Sequence, residues 1–151
     1  MKTAKINAMI ASELISDIIV PLKTSDIVET TLQMMEEYKV SHLPVVNNRS
    51  YLGLVSESDI DTGVDPATPV GNVKLSLSRP MIDDSQHIFD VIRMITDHHL
   101  SLLPVVDANE NYLGVISLQR LTDKLAMMTA IQHPGAILVL EMSQNDYSLS
   151  E

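Results

Sequence analysis

Apolar residues fall at helical spacing over residues 28–38, where Val28, Thr31, Leu32, Met35 and Tyr38 share a face. The same pattern returns sixty positions later with Ile88, Val91, Ile92, Ile95 and His99. A serine or threonine just ahead of each run is the expected N-cap. Each run leads into "LPVV", at 43–46 and again at 103–106. A short β-branched stretch of this kind predicts a buried strand. A polar turn follows, "NNRS" in one case and "DANEN" in the other, and then "YLGLVS" or "YLGVIS" as a second strand. Each closing serine starts another helix. The later one is long, with Leu118, Leu121, Leu125 and Met128 on one face, whereas the earlier one stops near Gly63 and Pro66. A lead-in strand is expected ahead of each unit, around 17–21 and 73–78.

The chain is therefore an internal repeat. Ser25, Val28, Leu32, Met35 and Ser41 match Ser85, Ile88, Ile92, Ile95 and Ser101 at an offset of 60. One extra turn residue moves the offset to 61, so that Tyr51, Gly53 and Ser56 match Tyr112, Gly114 and Ser117. A unit of about fifty residues buries too little surface to be secure alone. Two copies related by a pseudo-twofold axis, with small sheets packed together and helices outside, share one core. The fold class is α+β, built from two β-α-β-β-α repeats. Residues 1–66 hold the first repeat with an N-terminal lead-in, and residues 67–130 hold the second.

Composition narrows the function. Hydrophobic residues make up 45% of the 151, enough for a core and too many for a disordered chain. A net charge of −10 repels a nucleic-acid backbone, and the ten Lys and Arg are scattered singly. No apolar run approaches the roughly eighteen residues of a membrane span. A cytoplasmic protein is expected, with no nucleic-acid and no membrane partner. The five histidines lack zinc-like spacing. Adjacent His98 and His99 point about 100° apart on a helix. No nucleophile–base pattern and no Gly-rich phosphate loop stands out. Catalysis and metal binding are not expected.

The order h-P-V-V, polar turn, x-h-G-h-h-S-x-x-D resembles the CBS domain, and two copies in tandem resemble a CBS pair, or Bateman module. The resemblance covers roughly residues 10–130. It implies a non-catalytic regulatory module that binds an adenosine-containing metabolite between its repeats: AMP, ADP, ATP, S-adenosylmethionine, NAD or cyclic di-AMP. Mapped onto this sequence, Asp59 would accept hydrogen bonds from both ribose hydroxyls and Ser56 would meet the phosphate end. A carboxylate suits a vicinal diol because it offers two acceptor oxygens. Leu100, Ser101 and Leu102 would receive the adenine, and His42 sits where related domains place a basic residue toward phosphate. No cofactor is required. Homodimers through the exposed helices are implied.

The residues also allow other readings. "SESD" fits a capping box, in which Ser56 caps the helix and Asp59 reaches back with no ligand at all. The second repeat keeps Ser117 but has Arg120 in place of the acid. A guanidinium cannot accept from a ribose, so either Arg120 is solvated beside an empty cleft or it reaches a phosphate. The glycine within each strand leaves room for something to approach. The rival to the sensor is a ligand-free dimerisation module that positions a C-terminal domain. Residues 131–151 contain "AILVLEM", a further strand pattern, and end on the capping box Ser148-x-x-Glu151. They are read as the start of a truncated ACT-like domain or tail, an arrangement similar to CBS–ACT proteins of the acetoin-utilisation type.

Overall fold

The computed structural model describes residues 9–61 and 63–130, and the pattern read at 131–151 lies outside them. The first repeat runs α1 (Val28–Tyr38), β1 (His42–Asn47), β2 (Ser50–Ser56) and α2 (Glu57–Ile60). The second runs β3 (Ile82–Asp83), α3 (Ile88–His98), β4 (Leu102–Val106), β5 (Tyr112–Ser117) and α4 (Leu118–Ala130).

The two hairpins have the same register. Leu43 faces Val55 and Val45 faces Gly53 in the first, while Leu103 faces Ile116 and Val105 faces Gly114 in the second. Both slip between the two valines, which leaves Leu52 and Leu113 bulged outward, each 43% exposed. Leu43, Leu54, Leu103 and Ile116 are fully buried between the hairpins, so the β-branched and leucine runs form the shared core. At about 25 cal/mol per Å² of apolar surface removed from water, that core supplies most of the driving force for folding. The two eleven-residue helices, α1 and α3, each end on a non-glycine residue in the left-handed region, Lys39 at φ 59° and His99 at φ 53°.

The lead-in strands lie later than the sequence predicts. Leu22 pairs in parallel with Val45, and Ile82–Asp83 with Val105 and Val106, again sixty apart. Residues 17–21 and 73–78 are not strands. The segments ahead of each repeat instead cross to the other one. Ser16 N–H donates to the Val115 carbonyl (2.8 Å) and Ile88 N–H to that of Met9 (3.0 Å). In mirror fashion Val28 N–H donates to the Thr68 carbonyl (2.9 Å) and Gly71 N–H to that of Thr24 (3.0 Å). This exchange also fills the space at the strand glycines. A Cβ on Gly114 would come within 2.5 Å of Ile15, and one on Gly53 within 2.8 Å of Leu75. The room left by each glycine is taken by the chain itself.

Three smaller expectations are corrected too. The N-caps are Ile27 and His87, not a serine, and the His87 ring accepts from Phe89 N–H (3.1 Å). His99 is the exposed C-cap of its helix rather than part of the buried face. Leu121 is buried and Leu125 and Met128 pack on the core, but Leu118 is 39% exposed and turns away from them.

Candidate functional site

The repeat places two serines in equivalent positions at the ends of β2 and β5, each opening a helix. Their surroundings differ. In the first repeat the Asp59 carboxylate accepts from the Ser56 N–H (3.0 Å), the acid half of a capping box, and Ser56 Oγ lies 3.0 Å from Ser58 Oγ. The helix that follows is a single turn, because Gly63 and the Asp65-Pro66 turn end it. In the second repeat Ser117 Oγ accepts from the Arg120 N–H (3.0 Å), the serine half of such a box, and α4 runs on for thirteen residues.

Between the two serines the repeats meet at Ser41, His42 and Ser101. Ser41 N–H donates to Ser101 Oγ (3.0 Å), and Ser101 N–H donates to His42 Nδ1 (3.2 Å). The Ser101 hydroxyl lies 2.7 Å from the same nitrogen. A backbone N–H pointing at Nδ1 makes that nitrogen an acceptor, so the ring is neutral with its proton on Nε2. His42 is 7% exposed, and burial pulls its pKa below the usual 6.5 while the Asp59 charge acts in the opposite direction. Outward from this seam, the Ser41 carbonyl accepts Glu57 N–H (2.8 Å) and the Ser101 carbonyl accepts Leu118 N–H (2.9 Å). The first turns of α2 and α4 are thus tied to the same hydrogen-bonded strip.

A cleft of about 980 Å³ opens on the Arg120 side of the strip. Ser16, Ile19, Tyr38 and Lys39 line it from one side of the pseudo-axis, and Ser117, Arg120, Asp123, Lys124 and Met127 from the other, with Ser101 between them. Of the residues singled out in the sequence, Ser101, Ser117 and Arg120 therefore meet in one cleft, and Ser56 and Asp59 are not part of it. His42 is not among the residues that line the cleft, and its ring nitrogen is engaged by Ser101. Leu100 and Leu102 are 2% and 0% exposed, so their side chains belong to the core. Lys39, Asp123 and Lys124 were not anticipated. The signal for the last two was present, since Lys124 lies one helical turn after Arg120 and so shares its face. Lys39 carried no local signal, because its place follows from the left-handed cap that ends α1.

Among the described residues no group of His, Cys, Asp and Glu could hold a metal ion, and no helix is long and apolar enough to cross a membrane.

The CBS domain profile matches residues 11–63 and 68–127, and the chain belongs to the CBS domain family as a tandem pair. An uncharacterized protein of Methanocaldococcus jannaschii is 31% identical over 107 residues, which are 70% of this chain and 40% of that protein. A homoserine O-acetyltransferase of Methanococcus vannielii is 25% identical over 108 residues, 68% of this chain and 22% of the enzyme. The chain thus spans well under half the length of these curated relatives. Among solved structures, a CBS domain pair/ACT domain protein from Thermotoga maritima superposes with a TM-score of 0.69 at 22% identity, covering 79% of this chain and 98% of that one. CBSX2 in complex with AMP gives 0.64 at 22% identity, covering 80% and 98%. CbpB in complex with c-di-AMP gives 0.65 at 14% identity, covering 84% and 91%. At these identities the likeness is one of fold.

Proposed function

We propose that this CBS pair is a non-catalytic regulatory module that takes an adenosine-containing metabolite into the cleft between its repeats. The observation that carries the reading is the cleft itself, about 980 Å³ and walled by both repeats. That volume lies at the upper end of the roughly 300–1,000 Å³ typical of small-molecule sites. The adenosine class is supported by the fold neighbours that hold AMP and c-di-AMP. Ser101 and Ser117 supply hydroxyls to a ligand there, and Asp123 supplies acceptor oxygens for a ribose. Asp59 offers a second such carboxylate in the first repeat once its bond to Ser56 N–H is released. A ligand spanning both walls favours one setting of the repeats over another, by no more than its difference in affinity for the two. Ile18 and Met127, 74% and 69% exposed at the cleft's rim, suit a homodimer contact.

One observation favours the ligand-free dimerisation module instead, namely the capping contact that already occupies Asp59. Thermal melts with AMP, ADP, ATP, NAD, S-adenosylmethionine and cyclic di-AMP separate the two. A ligand at a hundred times its Kd stabilises by about 2.7 kcal/mol. A shift of several degrees with one of these compounds is the expected result, and silence from all of them leaves the interaction module.

A further inference from the structure

The repeat pairs Ser41 with Ser101 and makes Leu102 the counterpart of His42. Under strict twofold symmetry each serine N–H would donate to the hydroxyl of the other. Ser41 N–H does so, reaching Ser101 Oγ at 3.0 Å. Ser101 N–H instead meets the His42 ring at Nδ1 (3.2 Å), and the Ser41 and Ser101 hydroxyls lie 3.2 and 2.7 Å from the same nitrogen. Leu102 is fully buried and has no polar atom to offer in return. A titratable ring has thus taken over one side of the contact that joins the repeats.

Its surroundings make the protonation state matter. Either hydroxyl can turn to accept from an imidazolium, but a backbone N–H only donates. A proton on Nδ1 sets two donors against each other and leaves the Ser101 N–H without its acceptor. Ser56 stands opposite His42 in the hairpin register and is uncharged. α1 turns Val28, Thr31 and Met35 inward and leaves Glu29, Glu36 and Glu37 exposed. The second repeat brings Ser101 to the ring, while its Arg120 and Lys124 line the cleft, from which His42 is absent. Half-buried Asp59 on α2 is the charge that acts on the ring, and it favours the proton. Burial opposes it and is the stronger influence.

We propose that His42 is a proton-operated clasp between the two repeats. Neutral, the ring holds the Ser101 N–H and closes the seam. Protonated at Nδ1, it releases that N–H and loosens the seam. The Ser41 carbonyl holds Glu57 N–H and the Ser101 carbonyl holds Leu118 N–H, so the release reaches the first turns of α2 and α4. It also reaches the cleft, whose wall includes Ser101. None of this depends on what the cleft binds.

NMR of the full chain tests the clasp without any ligand. The His42 ring nitrogens and the backbone amides are followed from about pH 8 to about pH 5. The ring should titrate below its ordinary 6.5. The amides of Ser101, Glu57 and Leu118 should shift with the same midpoint, and protection of the Ser101 amide against hydrogen exchange should fall about tenfold through it. Asp59→Asn removes the charge that favours the proton and should move every one of these midpoints down together. His42→Gln keeps a neutral acceptor for the Ser101 N–H with nothing to protonate, so its three amides should stay flat over the same range. Circular dichroism checks that it folds, and if it does not, the parent and Asp59→Asn titrations still decide. Ring titration with silent amides or unchanged Ser101 protection overturns the clasp. So do midpoints that separate in Asp59→Asn and amide shifts that persist in His42→Gln. A ring that stays neutral until the chain unfolds makes the strip purely structural and overturns it as well.

Discussion

The two repeats match in register, in bulge and in the left-handed residue that ends α1 and α3, but they diverge at the point where chemistry is expected. The first closes its Ser-x-x-Asp onto its own backbone and stops after one helical turn. The second puts Ser-x-x-Arg at the mouth of a large cleft and continues into thirteen helical residues. Shared positions follow the demands of the common core. Positions 59 and 120 are not among its buried residues, so a ligand or a neighbouring segment can decide them.

The sharpest way to break the likeness is at the two strand glycines. Gly114 has φ +153° and its Cβ would lie 2.5 Å from the branched methyl of Ile15, which cannot swing away. Gly53 meets only the far end of Leu75 at 2.8 Å. Gly114→Ala should cost about 2–4 kcal/mol from strain and overpacking. Gly53→Ala should cost about 1 kcal/mol, as a leucine tip moves aside. Chemical denaturation of both variants measures the gap, and equal losses would show that the exchanged segments do not pack as described.

His42 is the next difference, since its counterpart in the second repeat is Leu102. His42→Leu removes the acceptor for Ser101 N–H and should cost about 1–3 kcal/mol. It should also remove a pH dependence. Burial lowers the folded pKa of His42 below 6.5, so the unfolded chain takes up the proton first. The stability tied to neutral His42 is complete above pH 6.5 and falls as pH drops from there through the lowered folded value. Unfolding curves between pH 7.5 and about 5 should show this decline in the parent and a smaller one in His42→Leu.

Much of this was legible in the sequence. The offset of sixty gave both hairpins and both long helices, because a hydrophobic period reports directly on burial. The lead-in strands were misplaced because the apolar run 18–20 lies just ahead of Leu22, and the pairing of Leu22 and Ile82 is set by the distant valines 45 and 105 rather than by local pattern. The exchange of segments 9–16 and 66–73 left no local trace either, since it is purely a long-range contact. The site was read in part. Asp59 as a cap and Arg120 as a cation followed from residue type, but the role of Lys39 depends on how a helix end turns in space.

Tyr51 and Tyr112 give a subtler contrast at one repeated position. The Tyr51 hydroxyl donates to the Pro80 carbonyl (2.7 Å), whereas the buried Tyr112 hydroxyl has no partner among the described residues. Burial raises the pKa of both phenols, so each is neutral at physiological pH. Tyr51→Phe should lose about 1 kcal/mol. Tyr112→Phe should be neutral or slightly stabilising, because it removes a donor that is desolvated without return. Equal losses in the two melts would mean that Tyr112 has a partner after all.

The smallest effect is the most direct exchange between the repeats. Arg120→Asp gives the second repeat the acid of the first, three residues after a serine that already caps its helix. A carboxylate there can accept the Ser117 N–H and meets the positive end of the α4 dipole, so the variant should gain about 0.3–1 kcal/mol in the absence of ligand. The converse change, Asp59→Arg, should lose a similar amount, since it opens the bond to Ser56 N–H. If both shifts appear, an acid at this position is worth keeping for the helix alone, and its absence from the second repeat has to be explained by what the cleft binds. If Arg120→Asp gains nothing, the cap is not what holds Asp59 in place, and the carboxylate of the first repeat becomes the stronger candidate for gripping a sugar.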